Sequence, residues 1–342
     1  MRVITLERIM SWKVLITART LNEVGQSATE CLRAADCELV IPPRFGPLKA
    51  GELLELLPHM DAVLASMDHF TADVLGSPAG RQLKIISRWG VGYDAIDVPA
   101  ATQNGILIAY TPGLLNEAVA DYAFALLFAL SRRVHEGHLT MRQGQWLSGW
   151  GHDISGKTLG ILGCGRIGQA VAQRAKGFNL RLLGHDLAPS PEAQKLGVEM
   201  VSLDQLLQEA DYLSLHCALT PQSRGMIGEK QFRQMKPTAY LINTARGALV
   251  DEAALVQALQ TGAIAGAALD AFAVEPLPLD HPLRSAPNVL LTPHQASFGR
   301  ETGERVSLAA AQAIADLKAG RKPRWVVNPE VYDLSTWRAR VT

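Results

Sequence analysis

The sequence predicts an α/β protein made of two domains, each with a doubly wound parallel β-sheet covered by helices on both faces. Three observations indicate this. Short apolar runs alternate with amphipathic helical patterns along most of the chain. A glycine-rich turn near the middle opens a second set of such runs, and a strong helical pattern at residues 302–319 follows the last of them. The 342 residues are enough for two domains.

The first set of elements occupies the first third of the chain. Its predicted strands are residues 12–17, 37–42, 61–66, 84–90 and 105–111. Its predicted helices are residues 50–57, 71–76 and 98–105. Strands that alternate with helices in this way form βαβ units, which produce a parallel sheet.

The second set begins after a long apolar helix. Its predicted strands are residues 157–163, 180–186, 211–217, 239–245, 266–272 and 288–293. Helical patterns at 169–178, 203–210 and 251–262 separate several of them. Because little chain follows the last helix, we expect the tail to return to the first domain. The predicted domains are therefore 1–112 with 302–342, and an inserted domain at 113–301.

Composition and charge argue against several classes of function. The formal net charge is zero, which gives no support for a nucleic-acid partner. The apolar run 118–130 is too short to span a membrane and contains Asp121, so we interpret it as a buried helix. No secretory pattern begins the chain, and its cysteines have neither metal-site nor disulfide-framework spacing. We expect a cytoplasmic protein with no metal and no membrane partner.

The glycine-rich turn predicts a dinucleotide cofactor. Gly163, Gly165 and Gly168 lie between a predicted strand and a predicted helix. In this Rossmann arrangement the glycines permit a tight turn, close approach of a pyrophosphate and close packing of helix on strand. Asp186 ends the next strand, where a carboxylate binds ribose hydroxyls and repels a 2′-phosphate, so NAD is favoured over NADP. A methyltransferase can also use such a turn, and the motif alone does not separate ligands that contain adenosine.

Four polar residues follow strands of the second set, and they indicate the chemistry. These are Arg246, Asp270, Glu275 and His294. Because they follow parallel strands, they can converge at one edge of the sheet. Reduction of a 2-oxo acid needs a bidentate cation for the carboxylate and a proton donor for the carbonyl oxygen, and arginine and histidine suit these tasks. A partly buried imidazolium in turn needs a carboxylate beside it. Each residue alone also has an ordinary structural explanation, such as a surface ion pair.

Several longer motifs identify a family. They occur in order at residues 87–98 (SRWGVGYDAIDV), 111–133, 157–172, 241–255 (LINTARGALVDEAAL), 266–276 (GAALDAFAVEP) and 291–297 (LTPHQAS). With these motifs the chain resembles the D-isomer-specific 2-hydroxyacid dehydrogenases from about residue 12 to about residue 330, and is most similar to the phosphoglycerate dehydrogenase-type branch. The resemblance implies a flavodoxin-like substrate domain with a Rossmann NAD-binding domain inserted in it, an active site in the cleft, and a homodimer formed through the NAD-binding domain.

The resemblance also implies roles for individual residues. Arg246 matches the substrate-binding arginine, Glu275 and His294 match the acid–base pair, and Asp270 matches an aspartate near the nicotinamide. The loop containing Val91 and Gly92 matches the one that holds the substrate carboxylate. The residues expected to contact the cofactor are Gly163, Gly165, Arg166, Ile167, Gly168, Asp186, Cys217, Thr244, Asp270 and His294.

The substrate is open at this stage, with phosphoglycerate and glyoxylate or hydroxypyruvate types as candidates. In residues 65–73, Asp68 stands where a phosphate would need a cation, and His69 is the nearby alternative, which disfavours a phosphorylated acid. Ala218 replaces a proline common near the adenine, a change that an apolar wall tolerates. Glu275 disfavours formate oxidation, whose enzymes use glutamine there. The alternative function is an NAD-sensing corepressor-like protein of the same fold.

Overall fold

The chain divides into two compact units. The computed structural model describes residues 11–188 and 190–339. One unit runs up to Leu115 and resumes at Arg300, and we call it the split unit. The other spans Asn116–Gly299, and we call it the continuous unit. The sequence places these borders at 112/113 and 301/302.

The secondary structure alternates between strands and helices. The strands are β1 (Trp12–Ile16), β2 (Cys37–Val40), β3 (Ala62–Ala65), β4 (Ile85–Arg88), β5 (Leu107–Ala109), β6 (Thr158–Leu162), β7 (Arg181–His185), β8 (Glu199–Met200), β9 (Tyr212–Leu215), β10 (Tyr240–Asn243), β11 (Gly266–Leu269) and β12 (Val289–Leu291). The helices are α1 (Thr20–Val24), α2 (Gln26–Ala34), α3 (Ala50–Leu56), α4 (Ala72–Gly76), α5 (Val98–Gln103), α6 (Asn116–Ser131), α7 (Val134–Arg142), α8 (Arg166–Ala175), α9 (Pro191–Lys195), α10 (Leu203–Glu209), α11 (Glu229–Gln234), α12 (Glu252–Thr261) and α13 (Arg300–Lys318).

The split unit contains a five-stranded parallel sheet in the order β2-β1-β3-β4-β5. This is the flavodoxin-like order, so the predicted fold of this unit is confirmed. The C-terminal helix α13 packs against α2 and β4. Ser87 donates a hydrogen bond of 2.8 Å to the Ala310 carbonyl, and the Trp89 indole donates one of 2.9 Å to Ser307. These bonds attach the tail of the chain to the sheet formed by its beginning.

A buried carboxylate lies at the carboxyl ends of the strands of this sheet, at the point where the strand order reverses. Asp68 is 1% exposed and follows β3. It accepts hydrogen bonds from the Thr17 hydroxyl, from the Leu48 N–H at 2.8 Å and from the Ser66 N–H at 3.0 Å. Burial raises its pKa, although these hydrogen bonds and the charge of Arg88 oppose the rise. The side chain therefore holds together the loops after β1, β2 and β3. The sequence suggests that Asp68 presents a charge that a substrate phosphate would meet, but the side chain is buried.

The continuous unit contains a seven-stranded parallel sheet in the order β12-β11-β10-β9-β6-β7-β8. Read from β8, this is the Rossmann order with one further strand, so the predicted fold of this unit is also confirmed. Successive residues of its strands enter two different apolar clusters, as Tyr212 and Leu213 illustrate. Both faces of the sheet are therefore buried, as in other parallel sheets.

Helix α6 is the buried helix that the apolar run predicts. Val119, Phe124, Leu127 and Leu130 are among its buried residues, and it packs against α8 and β11. No helix in the described part of the chain is long and apolar enough to cross a membrane. The patterns did not predict α1, α2, α7, α9, α11 or β8, and of these α1, α9 and α11 have only five or six residues. Helix α2 buries only Ala28 and Leu32, α7 buries no residue, and β8 has two residues, so each carries little periodic signal.

We expect Asp68→Ala to lower the free energy of unfolding by about 3 kcal/mol or more, because it leaves buried donors without an acceptor at about 1–3 kcal/mol each. Asp68→Asn keeps one acceptor oxygen and should lose less. Urea unfolding of both variants measures this order. A value for Asp68→Ala within about 0.5 kcal/mol of the wild type, as for an ordinary surface change, would contradict the role.

Candidate active site

The glycine turn follows β6 at the point where the strand order of the continuous unit reverses. Gly163 has a φ of 96°, and a side chain there would overlap the backbone of His216 and Cys217. A side chain at Gly168 would overlap the Gly163 carbonyl. Both positions therefore require glycine, for backbone conformation and for close packing respectively.

The remaining glycine of the turn, Gly165, faces open space. Gly165 is exposed, has no atom within 4 Å of the position of an added Cβ, and is the N-cap of the ten-residue helix α8. Arg166, the first residue of α8, is exposed, and Ile167 is half-buried. The helix N-terminus and the arginine together offer donors and positive charge to a pyrophosphate.

Asp186 is fixed against this turn. One oxygen of its carboxylate accepts from the Cys164 N–H at 2.7 Å, and the other accepts from the Leu187 N–H at 2.7 Å. Gln169 and Ser190 both donate to the Cys164 carbonyl, at 2.9 and 3.0 Å. The carboxylate therefore lies beside the turn, where the sequence expects the ribose hydroxyls.

Two further predicted cofactor residues follow neighbouring strands. Cys217 follows β9, and burial, with the Asp186 charge adding to it, raises the pKa of its thiol to about 11. Thr244 follows β10, and its buried hydroxyl has no hydrogen-bond partner among the described residues. An unpartnered buried hydroxyl is uncommon in a folded protein and fits a position that bonds to a ligand. With the open Gly165 and the fixed Asp186, these residues fit a dinucleotide.

His216 lies in the same region and was not among the predicted site residues. Its Nε2 shares a hydrogen bond of 2.8 Å with Ser214, and its buried Nδ1 has no partner in the described chain. Burial lowers its pKa to about 4, so the imidazole is neutral at pH 7. Its place after β9 was visible in the sequence, but burial could not be deduced from it.

The loop after β10 fixes the backbone of Arg246. The Asn243 side chain accepts from the Ala245 N–H at 3.0 Å and donates to the Arg246 carbonyl at 2.8 Å. A side chain at Gly247 would overlap the backbone of Phe272. The arginine loop therefore packs directly against the loop after β11, which carries Glu275.

His294 and Glu275 are directly paired. The His294 Nδ1 lies 2.7 Å from one oxygen of Glu275, and the other oxygen accepts from the Phe272 N–H at 2.9 Å. The two side chains are 30% and 23% exposed, so the pair is partly shielded from water but accessible. Because Nδ1 faces the carboxylate, Nε2 is the ring nitrogen placed for proton exchange.

Asp270 holds the loop on which His294 lies. One of its oxygens accepts from the Thr292 hydroxyl at 2.6 Å and from the Gln295 N–H at 3.0 Å, and the other accepts from the Ala296 N–H at 2.7 Å. It is 1% exposed, and burial raises its pKa against the opposing effect of these hydrogen bonds and of His294. Its hydrogen bonds are made with residues on both sides of His294, so Asp270 fixes the path of the loop that carries the histidine.

The remaining predicted site residues, Val91 and Gly92, lie in the split unit after β4. The Arg88 guanidinium donates to the Gly92 carbonyl at 2.9 Å, and Gly90 and Thr111 are joined by hydrogen bonds of 3.0 and 3.1 Å. Within the described chain, the N–H groups of Val91 and Gly92 donate to no protein acceptor. The loop is therefore fixed on its carbonyl side and leaves these donors for an anion.

Comparison with known proteins agrees with this geometry. The sequence model described as "D-isomer specific 2-hydroxyacid dehydrogenase, NAD binding domain" matches residues 124–296. A glyoxylate reductase of Korarchaeum cryptofilum is 46% identical over 330 residues, covering 94% of this chain and 97% of the relative. The chain belongs to the D-isomer-specific 2-hydroxyacid dehydrogenase family.

Solved structures of other dehydrogenases share the fold. A glyoxylate reductase from Paecilomyes thermophila superposes with a TM-score of 0.80 at 33% identity, covering 94% of this chain and 99% of that one. A D-lactate dehydrogenase from Aquifex aeolicus, complexed with NAD and lactic acid, has a TM-score of 0.79 at 27% identity, covering 90% and 96%. The chain is an NAD-dependent D-2-hydroxyacid dehydrogenase, as the sequence predicted, and the phosphoglycerate-type branch stays a prediction.

Proposed function

We propose that this dehydrogenase reduces glyoxylate, and other small 2-oxo acids such as hydroxypyruvate, with NADH. The observation that carries the proposal is the 46% identity, across 94% of the chain, to a protein named glyoxylate reductase. The paired histidine and glutamate after two strands of the continuous unit support the reaction class, because carbonyl reduction needs a positioned proton donor.

We assign the proton transfer to His294. Bound NADH supplies the hydride for C2 of the acid, and negative charge then develops on the carbonyl oxygen. The Nε2 proton of His294 neutralises that charge, while Glu275 at 2.7 Å orients the ring and stabilises the imidazolium. In the oxidation direction the neutral ring accepts the proton. Asp270 supports this role by fixing the loop that carries the histidine.

We assign carboxylate binding to Arg246 and to the N–H groups of Val91 and Gly92. The guanidinium suits a carboxylate because its donors form a rigid fork. Backbone N–H groups without a protein acceptor among the described residues also suit a carboxylate. For the cofactor, Gly165 and Arg166 would hold the pyrophosphate, Asp186 the ribose, and Thr244 a polar group of the dinucleotide.

A phosphorylated acid is the less favoured substrate. In the loop at residues 66–69 of the split unit, Asp68 is buried, and His69 is the basic residue within the loop and is exposed. Asp68 is buried and hydrogen-bonded, so it is not a side chain that a phosphate would contact directly. The argument against such a substrate is now that the permanent cation beside this loop, Arg88, is itself buried and bonded to Met67 and to the Gly92 carbonyl.

We also propose a homodimer formed through the continuous unit, in the cytoplasm. Helix α7 buries none of its residues, and the segment after it exposes 88% of Trp146 and 97% of Trp150. Val134, Leu139 and Met141 on α7 are also exposed. Several large apolar side chains exposed on one segment are typical of an interface, and a second copy of the chain is the partner that the family resemblance implies.

A substrate panel tests the proposed activity. Glyoxylate, hydroxypyruvate, pyruvate, 2-ketogluconate and 3-phosphohydroxypyruvate are compared with NADH and with NADPH. We expect glyoxylate with NADH to give the highest kcat/KM. The kcat/KM for 3-phosphohydroxypyruvate should be at least about tenfold lower, because its phosphate lacks one charge-assisted hydrogen bond of about 1.4 kcal/mol. A preference for the phosphorylated acid would favour the phosphoglycerate type. Preference for NADPH would overturn the role of Asp186, and tight NADH binding with no turnover would favour the corepressor alternative.

We expect His294→Asn to lower turnover at least about a hundredfold, because it removes the group that exchanges the proton. Asparagine is a suitable replacement because it tolerates the left-handed backbone that His294 adopts, with a φ of 51°. NADH affinity, measured by fluorescence titration, should stay nearly unchanged. Normal turnover in this variant would disprove the assignment.

We expect the double variant Trp146→Ala/Trp150→Ala to be monomeric at concentrations where the wild type is dimeric, since it removes the two largest exposed apolar side chains of the proposed interface. Sedimentation velocity measures the change. Leu279→Ala, which alters an equally exposed apolar side chain of the same unit, is the control and should remain dimeric. A monomeric wild type, or a dimeric double variant, would contradict the proposed interface.

A further inference from the structure

The backbone of His294 adopts a conformation that histidine seldom takes. Its φ of 51° lies in the left-handed region, and its N–H donates to the Thr292 carbonyl at 3.1 Å. A residue other than glycine adopts this backbone conformation stably only where the surrounding contacts fix it. The loop lies beyond the end of β12, so the sheet does not supply those contacts.

The next residue supplies several of them. The Gln295 N–H donates to Asp270 at 3.0 Å, and its carbonyl accepts from the Phe298 N–H at 2.9 Å. Its side-chain amide donates a hydrogen bond of 2.6 Å to the hydroxyl of Tyr122. Backbone and side chain of Gln295 are therefore both held, and only one peptide separates them from His294.

Tyr122 is itself firmly supported. It lies on α6 and packs against the apolar cluster between that helix and the sheet. The neighbouring Asp121 pairs with Arg174 of α8 at 2.6 Å, and Glu117 pairs with the same guanidinium at 2.8 Å. Helix α8 begins at the glycine turn, so a continuous set of contacts joins that turn to the histidine loop.

We propose that Tyr122 and Gln295 are positioning residues for His294. Their hydrogen bond fixes the peptide after the histidine relative to α6 and α8. It thereby fixes the position of the imidazole relative to the glycine turn after β6. Neither residue donates a proton to the substrate. The inference rests on the proposed role of His294 in proton transfer.

The bond joins residues 173 positions apart in the sequence, and both side chains are half-buried. If it served stability alone, its loss would lower the melting temperature and leave turnover per folded molecule unchanged. If it positions the histidine, its loss slows the proton-transfer step, while binding of the dinucleotide is unaffected.

Three variants test the proposal: Tyr122→Phe, which removes only the acceptor hydroxyl; Gln295→Met, which removes the amide at nearly constant length; and the double variant. Each single change is expected to lower kcat for glyoxylate about three- to tenfold, the range that loss of one neutral hydrogen bond produces. The KM for glyoxylate and the Kd for NADH should stay within about twofold of the wild type. The solvent deuterium isotope effect on kcat should increase, because proton transfer limits turnover more strongly. The double variant should lose no more than the worse single one, as expected for two partners of one bond.

Matched controls distinguish a positioning role from the general effect of removing one hydrogen bond in this unit. Tyr212→Phe removes a hydroxyl that donates to the Asp153 carbonyl at 3.3 Å, and Gln205→Met removes an amide that donates to Glu209 at 2.8 Å. Both lie in the continuous unit away from the His294 loop, and neither should change kcat or the isotope effect. Melting temperatures of all variants verify folding.

The outcomes also distinguish this inference from the proposed function. If the wild type does not reduce glyoxylate, the substrate proposal fails, and the variants are compared on the 2-oxo acid that the panel identifies. If the wild type is active and the variants match it, or if the losses are additive or equal to those of the controls, the positioning role is wrong while the function stands.

Discussion

The hydrogen bonds to the buried carboxylate of Asp270 are the interactions on which the proposed acid–base site depends. The carboxylate accepts from the hydroxyl of Thr292 before His294 and from the two N–H groups after it, so it determines the path of the loop beyond the end of β12. Burying a charge is costly unless it is hydrogen-bonded, and here the bonds that satisfy it also shape the site. The histidine adopts its left-handed backbone because the residues on both sides are fixed in this way.

In the continuous unit, burial also determines which groups near the glycine turn are charged. Burial raises the pKa of Cys164 to about 12, with the Asp186 charge contributing, and it keeps His216 neutral with a pKa of about 4. Neither group therefore adds a charge of its own at neutral pH. The carboxylate of Asp186 remains the defined anionic feature beside the turn, as a preference for NAD requires.

The sequence predicted much of this structure because the requirements involved are local. Gly163 and Gly168 occupy positions that no other residue fits, and most of the strands are short apolar runs that can be recognised locally. Arg246, Glu275 and His294 were predicted together because parallel strands bring their following loops to one edge. The bond between Tyr122 and Gln295 could not be predicted, since it joins distant segments through side-chain directions that only tertiary packing determines. Asp68 shows the same limit, because a charged residue in a loop gives no local sign that it is buried.

The division of the chain into two units has an evolutionary consequence. The glycine turn, the arginine and the acid–base pair all lie within one uninterrupted stretch, Asn116–Gly299, whereas Val91 and Gly92 belong to the split unit. Recombination outside that stretch can exchange the loop that contains Val91 and Gly92 and leave Arg246, Glu275 and His294 in place. The two crossings, after Leu115 and before Arg300, are therefore natural junctions for chimeras between relatives with different acid preferences.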